Sequence, residues 1–144
     1  MRKRNGFFSF SIVTVAVLAL GLALTAATVA GKYFQMARTY EDTVRLTYLA
    51  ESALYEGWDQ LCQQPDDFLR GKEIPVPQAE RLAVQGERLS VRCRYQPAGE
   101  AAGGFLKAQA AMPDTGVQQT CGLRFEVTAD EQGRPVLSGC QYVN

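Results

Sequence analysis

FFSFSIVTVAVLALGLALTAATVAG, residues 7–31, decides how the rest of the chain is read. These 25 residues carry no charge. At about 1.5 Å per residue a helix of this length reaches about 38 Å, enough to cross a hydrocarbon core of about 30 Å with some tilt. A buried soluble helix shows a polar stripe, whereas this run has only scattered Ser, Thr and Gly. Hydroxyl side chains are tolerated in a bilayer because they bond back to the helix backbone. Arg2, Lys3 and Arg4 stand before the run, and the mixed charges Lys32, Arg38, Glu41 and Asp42 stand behind it. The positive-inside rule therefore puts Met1 in the cytoplasm and residues 32–144 outside it.

Outward from this segment, composition narrows the function. Fifteen Lys+Arg balance fifteen Asp+Glu over 144 residues, which excludes a strongly basic nucleic-acid binder as the first reading. Three of the basic residues precede the apolar run, so residues 32–144 carry a net charge of −3. The chain has no histidine. Histidine-ligated metal sites, histidine general bases and Ser-His-Asp or Cys-His catalysis are removed together. Residues 32–144 have the length of one modest domain.

Helical periodicity continues past Gly31, and no proline occurs before Pro65. Tyr33, Met36, Ala37, Tyr40, Val44, Tyr48, Tyr55, Trp58 and Leu61 recur at helical steps. A second row, Leu46, Leu49, Ala50, Ala53 and Leu54, widens the stripe. Glu41, Asp42, Arg45 and Asp59 take the other side. Gln63-Gln64-Pro65-Asp66-Asp67 ends the pattern, because proline disfavours helix in the residue before it. One helix is thus expected from Phe7 to about Cys62.

Residues 66–78 read as loop, with prolines on both sides of Val76. The period then changes to two. Leu82 and Val84, a Gln85-Gly86 turn, then Leu89, Val91, Cys93 and Tyr95 read as a hairpin. After a small-residue loop from Pro97 to Gly104, Leu106, Ala108, Ala110 and Met112 alternate with polar neighbours. Pro113-Asp114-Thr115-Gly116 turns the chain into a strand over 117–129, in which Cys121, Leu123, Phe125 and Val127 share a face. Asp130-Glu131-Gln132-Gly133 leads to a last strand over 136–143. The expected fold class is α+β. One long N-terminal helix, transmembrane over 7–31 and amphipathic over 32–64, packs on four or five antiparallel strands within residues 65–144.

No constellation points to catalysis, and no cofactor or metal site is expected. Cys62, Cys93, Cys121 and Cys140 form no C-x-x-C pair, which argues against zinc. Outside the cytoplasm they are disulfide candidates. Cys121 pairs best with Cys140 if the last two strands are neighbours, leaving Cys62 for Cys93; four buried thiols are the alternative. Asp114-Thr115-Gly116 matches the aspartic-protease tripeptide, but that chemistry needs two such carboxylates, and a plain turn accounts for the residues. Arg88, Arg92 and Arg94 form a polar strand face with the alternative of a basic binding stripe.

Three readings of the N-terminus compete: a secretory signal cleaved before Gly31 after the small residues Thr28 and Ala30, a plain anchor, and a reading centred on Gly6. In the last, the basic hexapeptide Met1-Arg-Lys-Arg-Asn-Gly6 meets an abrupt start, Phe7-Phe8-Ser9-Phe10. This junction resembles the class III signal of the type IV pilin and pseudopilin family. The resemblance implies that a prepilin peptidase cuts after Gly6 on the cytoplasmic side and methylates Phe7, with residues 1–6 as leader. Ala50-Glu51-Ser52-Ala53-Leu54-Tyr55-Glu56-Gly57 is similar to a helix segment common in minor pilins, and the helix-then-strands order is similar to the pilin layout. The family usually carries glutamate at the fifth mature position, where this chain has Ser11. That departure implies a minor or tip subunit.

The expected function is therefore a minor pilin or pseudopilin of a pilus, competence or type II secretion system. Its partners would be the prepilin peptidase, other pilin or pseudopilin subunits and the membrane, with no nucleic acid. It would reside in the inner or cytoplasmic membrane before entering an extracellular or periplasmic filament. The alternative is a single-pass anchored or secreted binding module.

Overall fold

The computed structural model describes residues 5–65, 73–84, 89–97 and 103–143, with only the helical backbone described over 5–9. Helix α1 runs without interruption over Asn5–Gln63. By its contacts the chain divides into two units, Met1–Tyr40 and Glu41–Asn144.

The first unit is the apolar part of α1. Every residue from Phe10 to Tyr40 is exposed, and this stretch belongs to a helix long and apolar enough to cross a membrane. Its threonines bond back to the helix, as expected of hydroxyls in an apolar segment. Thr14 donates to the Phe10 carbonyl at 2.9 Å, Thr25 to that of Leu22 at 2.9 Å, and Thr28 to that of Thr25 at 2.8 Å.

In the second unit the remainder of α1 lies on a five-stranded antiparallel sheet, so the α+β layout holds. The strands are β1 (Glu73–Ile74), β2 (Ser90–Pro97), β3 (Gly103–Met112), β4 (Val117–Ala129) and β5 (Pro135–Val143). They pair in sequence order as a meander. The Pro113–Gly116 segment closes the β3–β4 hairpin as a plain turn. Gly116, at φ 71°, donates its N–H to the Met112 carbonyl at 2.9 Å.

The core forms where small residues let the helix approach the sheet. Ala50, Ala53 and Gly57 stand at helical steps and are buried together with the alternating Leu106, Ala108, Ala110 and Met112 of β3, Gly57 lying against Cys93 and Leu106. A Cβ at Gly57 would overlap Cys93 Sγ, so a larger residue fits here only if the Cys93 side chain gives way. Leu46, Leu54 and Leu61 fill the flanks, and Phe125 takes the centre with the Trp58 ring edge-on at 5.2 Å.

Three sequence readings change. The broad expected stripe packs only in part: Tyr48 and Tyr55 of its first row are exposed, at 69% and 70%, while Leu61 of that row and Leu46, Leu49, Ala50, Ala53 and Leu54 of the second are buried. A sheet with alanines at its centre accepts small and branched residues, whereas tyrosine rings would hold the helix away. Leu82 and Val84 do not open a hairpin; they lie in a second helix, α2 (Pro77–Val84). Pro77 is set for a first helical position, and Ala79 and Ala83 are buried four residues apart. The Gln85-Gly86 turn lies outside the described residues. Within the expected loop, Glu73–Ile74 is a strand paired with Cys93 and Arg94.

Candidate functional site

The features with chemical content sit in three places. The first is the bare helix. Phe10, Leu22, Tyr33, Phe34 and Tyr40 are each about 70% exposed, so the described side chains of this unit present an apolar surface. The processing residues Gly6 and Phe7 fall at its beginning, where side chains are outside the described residues.

The second is the helix–sheet packing layer with its margins, where the cysteines lie. Cys93 and Cys121 both pair in register with Ala108, from opposite sides. They are therefore two strand spacings apart, about 9.6 Å, beyond disulfide reach. Both are buried. Burial first, then the neighbouring charges of Cys121 and Glu56, pushes the Cys93 thiol up to about 12. Burial likewise raises Cys121 to about 11, with Glu51 adding to the rise and a hydrogen bond with Tyr142 opposing it. Protons held this firmly make both groups poor nucleophiles at neutral pH.

Cys62 and Cys140 are exposed. The expected partnership of Cys121 with Cys140 assumed a regular ladder. β4 and β5 instead carry a bulge: Glu126 pairs with Ser138, but Arg124 pairs with Gln141. The extra β5 residue moves Cys140 opposite Phe125, while Cys121 lies beyond the Gly122–Val143 pair. The bulge contains Gly139 at φ 62°, a conformation that favours glycine. It also turns Tyr142 toward the helix, where its hydroxyl donates to Glu51 Oε1 at 3.3 Å.

The sequence marks Glu56 only as part of the segment 50–57, with no role of its own. Its Oε1 accepts the N–H of Gln78 at 3.0 Å and its Oε2 that of Ala79 at 3.1 Å. A carboxylate from α1 thus caps the first turn of α2, where Val76 has no side-chain acceptor to offer. No local motif announces a cap that arrives from 22 residues away.

The third place is the open face of the sheet. A hollow of about 460 Å³ is lined by Glu73, Arg92, Arg94, Gln96, Lys107 and Gln109. Two members of the expected basic row, Arg92 and Arg94, stand here, and Arg88 lies outside the described residues. Arg94 and Lys107 stand directly opposite in register, and Arg92 reaches Glu73 at 3.9 Å. The contact is exposed and contributes little. Among the described residues no group of three or more cysteines and carboxylates is placed to hold a metal.

Comparison with protein-family models, with curated proteins and with solved structures found no match to this chain.

Proposed function

We propose that the protein is a minor pilin-like or pseudopilin subunit that assembles through α1 rather than performing catalysis. One observation supports this reading above others: α1 runs unbroken over Asn5–Gln63, bare from Phe10 to Tyr40 and packed on the sheet beyond Leu46. A simple anchor has no need of a helix that continues unbroken into the core of its domain. A subunit that leaves the membrane for a polymer does, because the same rod must carry the domain in both settings. Exchange of lipid for neighbouring helices keeps the apolar surface dry, so the transfer is near balance.

In this proposal the chain first sits in the inner or cytoplasmic membrane with Arg2, Lys3 and Arg4 in the cytoplasm and the sheet domain outside. Prepilin peptidase then removes residues 1–6 and methylates Phe7. Ser11 leaves no carboxylate to meet the amine of a neighbouring mature N-terminus. A buried amine without such a partner is costly, which suits a subunit of low copy or terminal position.

The test is the N-terminus of the mature protein from cells with active prepilin peptidase. A chain beginning at methylated Phe7 is expected, and Gly6→Val should abolish the cleavage. An intact Met1 end would favour the anchored binding module, and a chain beginning at Gly31 the secreted one.

A further inference from the structure

We propose that Cys62 and Cys140 form a disulfide that ties the end of α1 to the edge strand β5, while Cys93 and Cys121 remain thiols. The pairing rests on two directions that coincide. On the helix, Glu51, Trp58 and Cys62 succeed one another at steps of seven and four residues, so they share one side. On the sheet, Tyr142 pairs with Leu123, and the Gly139–Cys140 bulge lies opposite Phe125.

Two contacts fix how these rows match. Tyr142 meets Glu51 through its hydroxyl at 3.3 Å, and Trp58 meets Phe125 at a ring separation of 5.2 Å. Passing from Glu51 to Trp58 on α1 therefore corresponds to passing from Tyr142 toward Cys140 on β5. One further helical turn arrives at Cys62. The bulge makes this possible. Leu137 packs against the core and Tyr142 reaches α1, although five positions separate them and strict alternation would send them to opposite faces. Because the bulge resets the alternation, Cys140 shares the helix side with Tyr142. Cys140 is near enough to be one of the groups that raise the Cys62 thiol, after burial and Asp59.

Both cysteines are exposed, so an external oxidant reaches them. One thiolate attacks a disulfide-bearing oxidant and forms a mixed disulfide, releasing one oxidant thiolate. The second cysteine thiolate attacks the protein sulfur of that bond, completes the Cys62–Cys140 bridge and releases the other oxidant thiolate. The two protein thiols give up two protons and two electrons, and the oxidant disulfide becomes two thiols. In the cell the bridge rests on the proposed placement of the sheet domain outside the cytoplasm.

The experiment uses the full-length chain in detergent, reduced, then exposed to glutathione disulfide, blocked with N-ethylmaleimide and digested with trypsin without reduction. Arg70, Arg92, Arg94 and Arg124 separate the four cysteines into four peptides. The expected major cross-linked species joins the Cys62 and Cys140 peptides within one chain, and Cys140→Ser should leave Cys62 open to alkylation. Any other dominant pairing, a Cys62–Cys62 dimer, or persistently free Cys62 and Cys140 overturns the proposal. Mapping protein alkylated in intact cells reads the topology separately. A bridge that forms in detergent but is missing in cells leaves the pairing standing and counts against the outside placement.

Discussion

Glu56 and Gly57 are adjacent in α1 and do opposite things, one reaching out and one staying out of the way. The Glu56 carboxylate satisfies two backbone donors of α2 at once. Replacing it with alanine should cost about 1–2 kcal/mol, because the first turn of α2 loses its acceptor. The single tryptophan, Trp58, lies against Phe125 and reports the packing, so a lowered urea midpoint by its fluorescence is the readout. Gly57→Ala should cost about 1–3 kcal/mol in the same assay, since its methyl would overlap Cys93 Sγ. Gly31→Ala is the control: no atom stands within 4 Å of a Cβ there, and unfolding of the sheet domain should be unchanged.

Among the elements, β2 and β3 contain a visible conflict. Arg94 and Lys107 face each other across the ladder, a like-charge pair that destabilises. Lys107→Glu should therefore raise the urea midpoint by the equivalent of about 0.2–1 kcal/mol at low ionic strength, with the gain shrinking as salt is added. A lowered midpoint would mean that Lys107 serves a contact worth more than the repulsion. Helix α2 shows what the sequence signals meant once the cap is known. Pro77 at the first helical position, Glu80 in the first turn and two alanines four apart are helix signals, and Leu82 and Val84 outweighed them only when read as strand alternation.

For the whole molecule, the paired burial of Cys93 and Cys121 sets an alkaline limit. Their folded pKa values, about 12 and about 11, lie above the ordinary 9.0, so the native state holds these protons more firmly than the unfolded one. The stabilisation is complete below pH 9 and is lost as pH rises through the folded values. Urea midpoints should thus be insensitive to these groups at neutral pH and fall from pH 9 to about pH 12. A Cys121→Ala variant, compared against its own neutral value, should show a shallower fall, and an equal slope would sink the assignment.

Legible in the residue order alone were the long helix, its uncharged 25-residue start, the change of period to strands and the alternation that puts Cys93, Cys121 and Phe125 on one side. These are local properties, set by hydropathy and backbone period along the chain. Which members of the two rows of α1 pack was settled by the folded arrangement. Both rows are apolar at helical spacing, and the choice depends on the alanines that the sheet presents. The same holds for the origin of α2's cap and for the neighbour of Cys140. A capping carboxylate from a distant helix and a one-residue bulge at Gly139 leave no periodic trace, because each is fixed by what lies opposite in space rather than by what lies next in the chain.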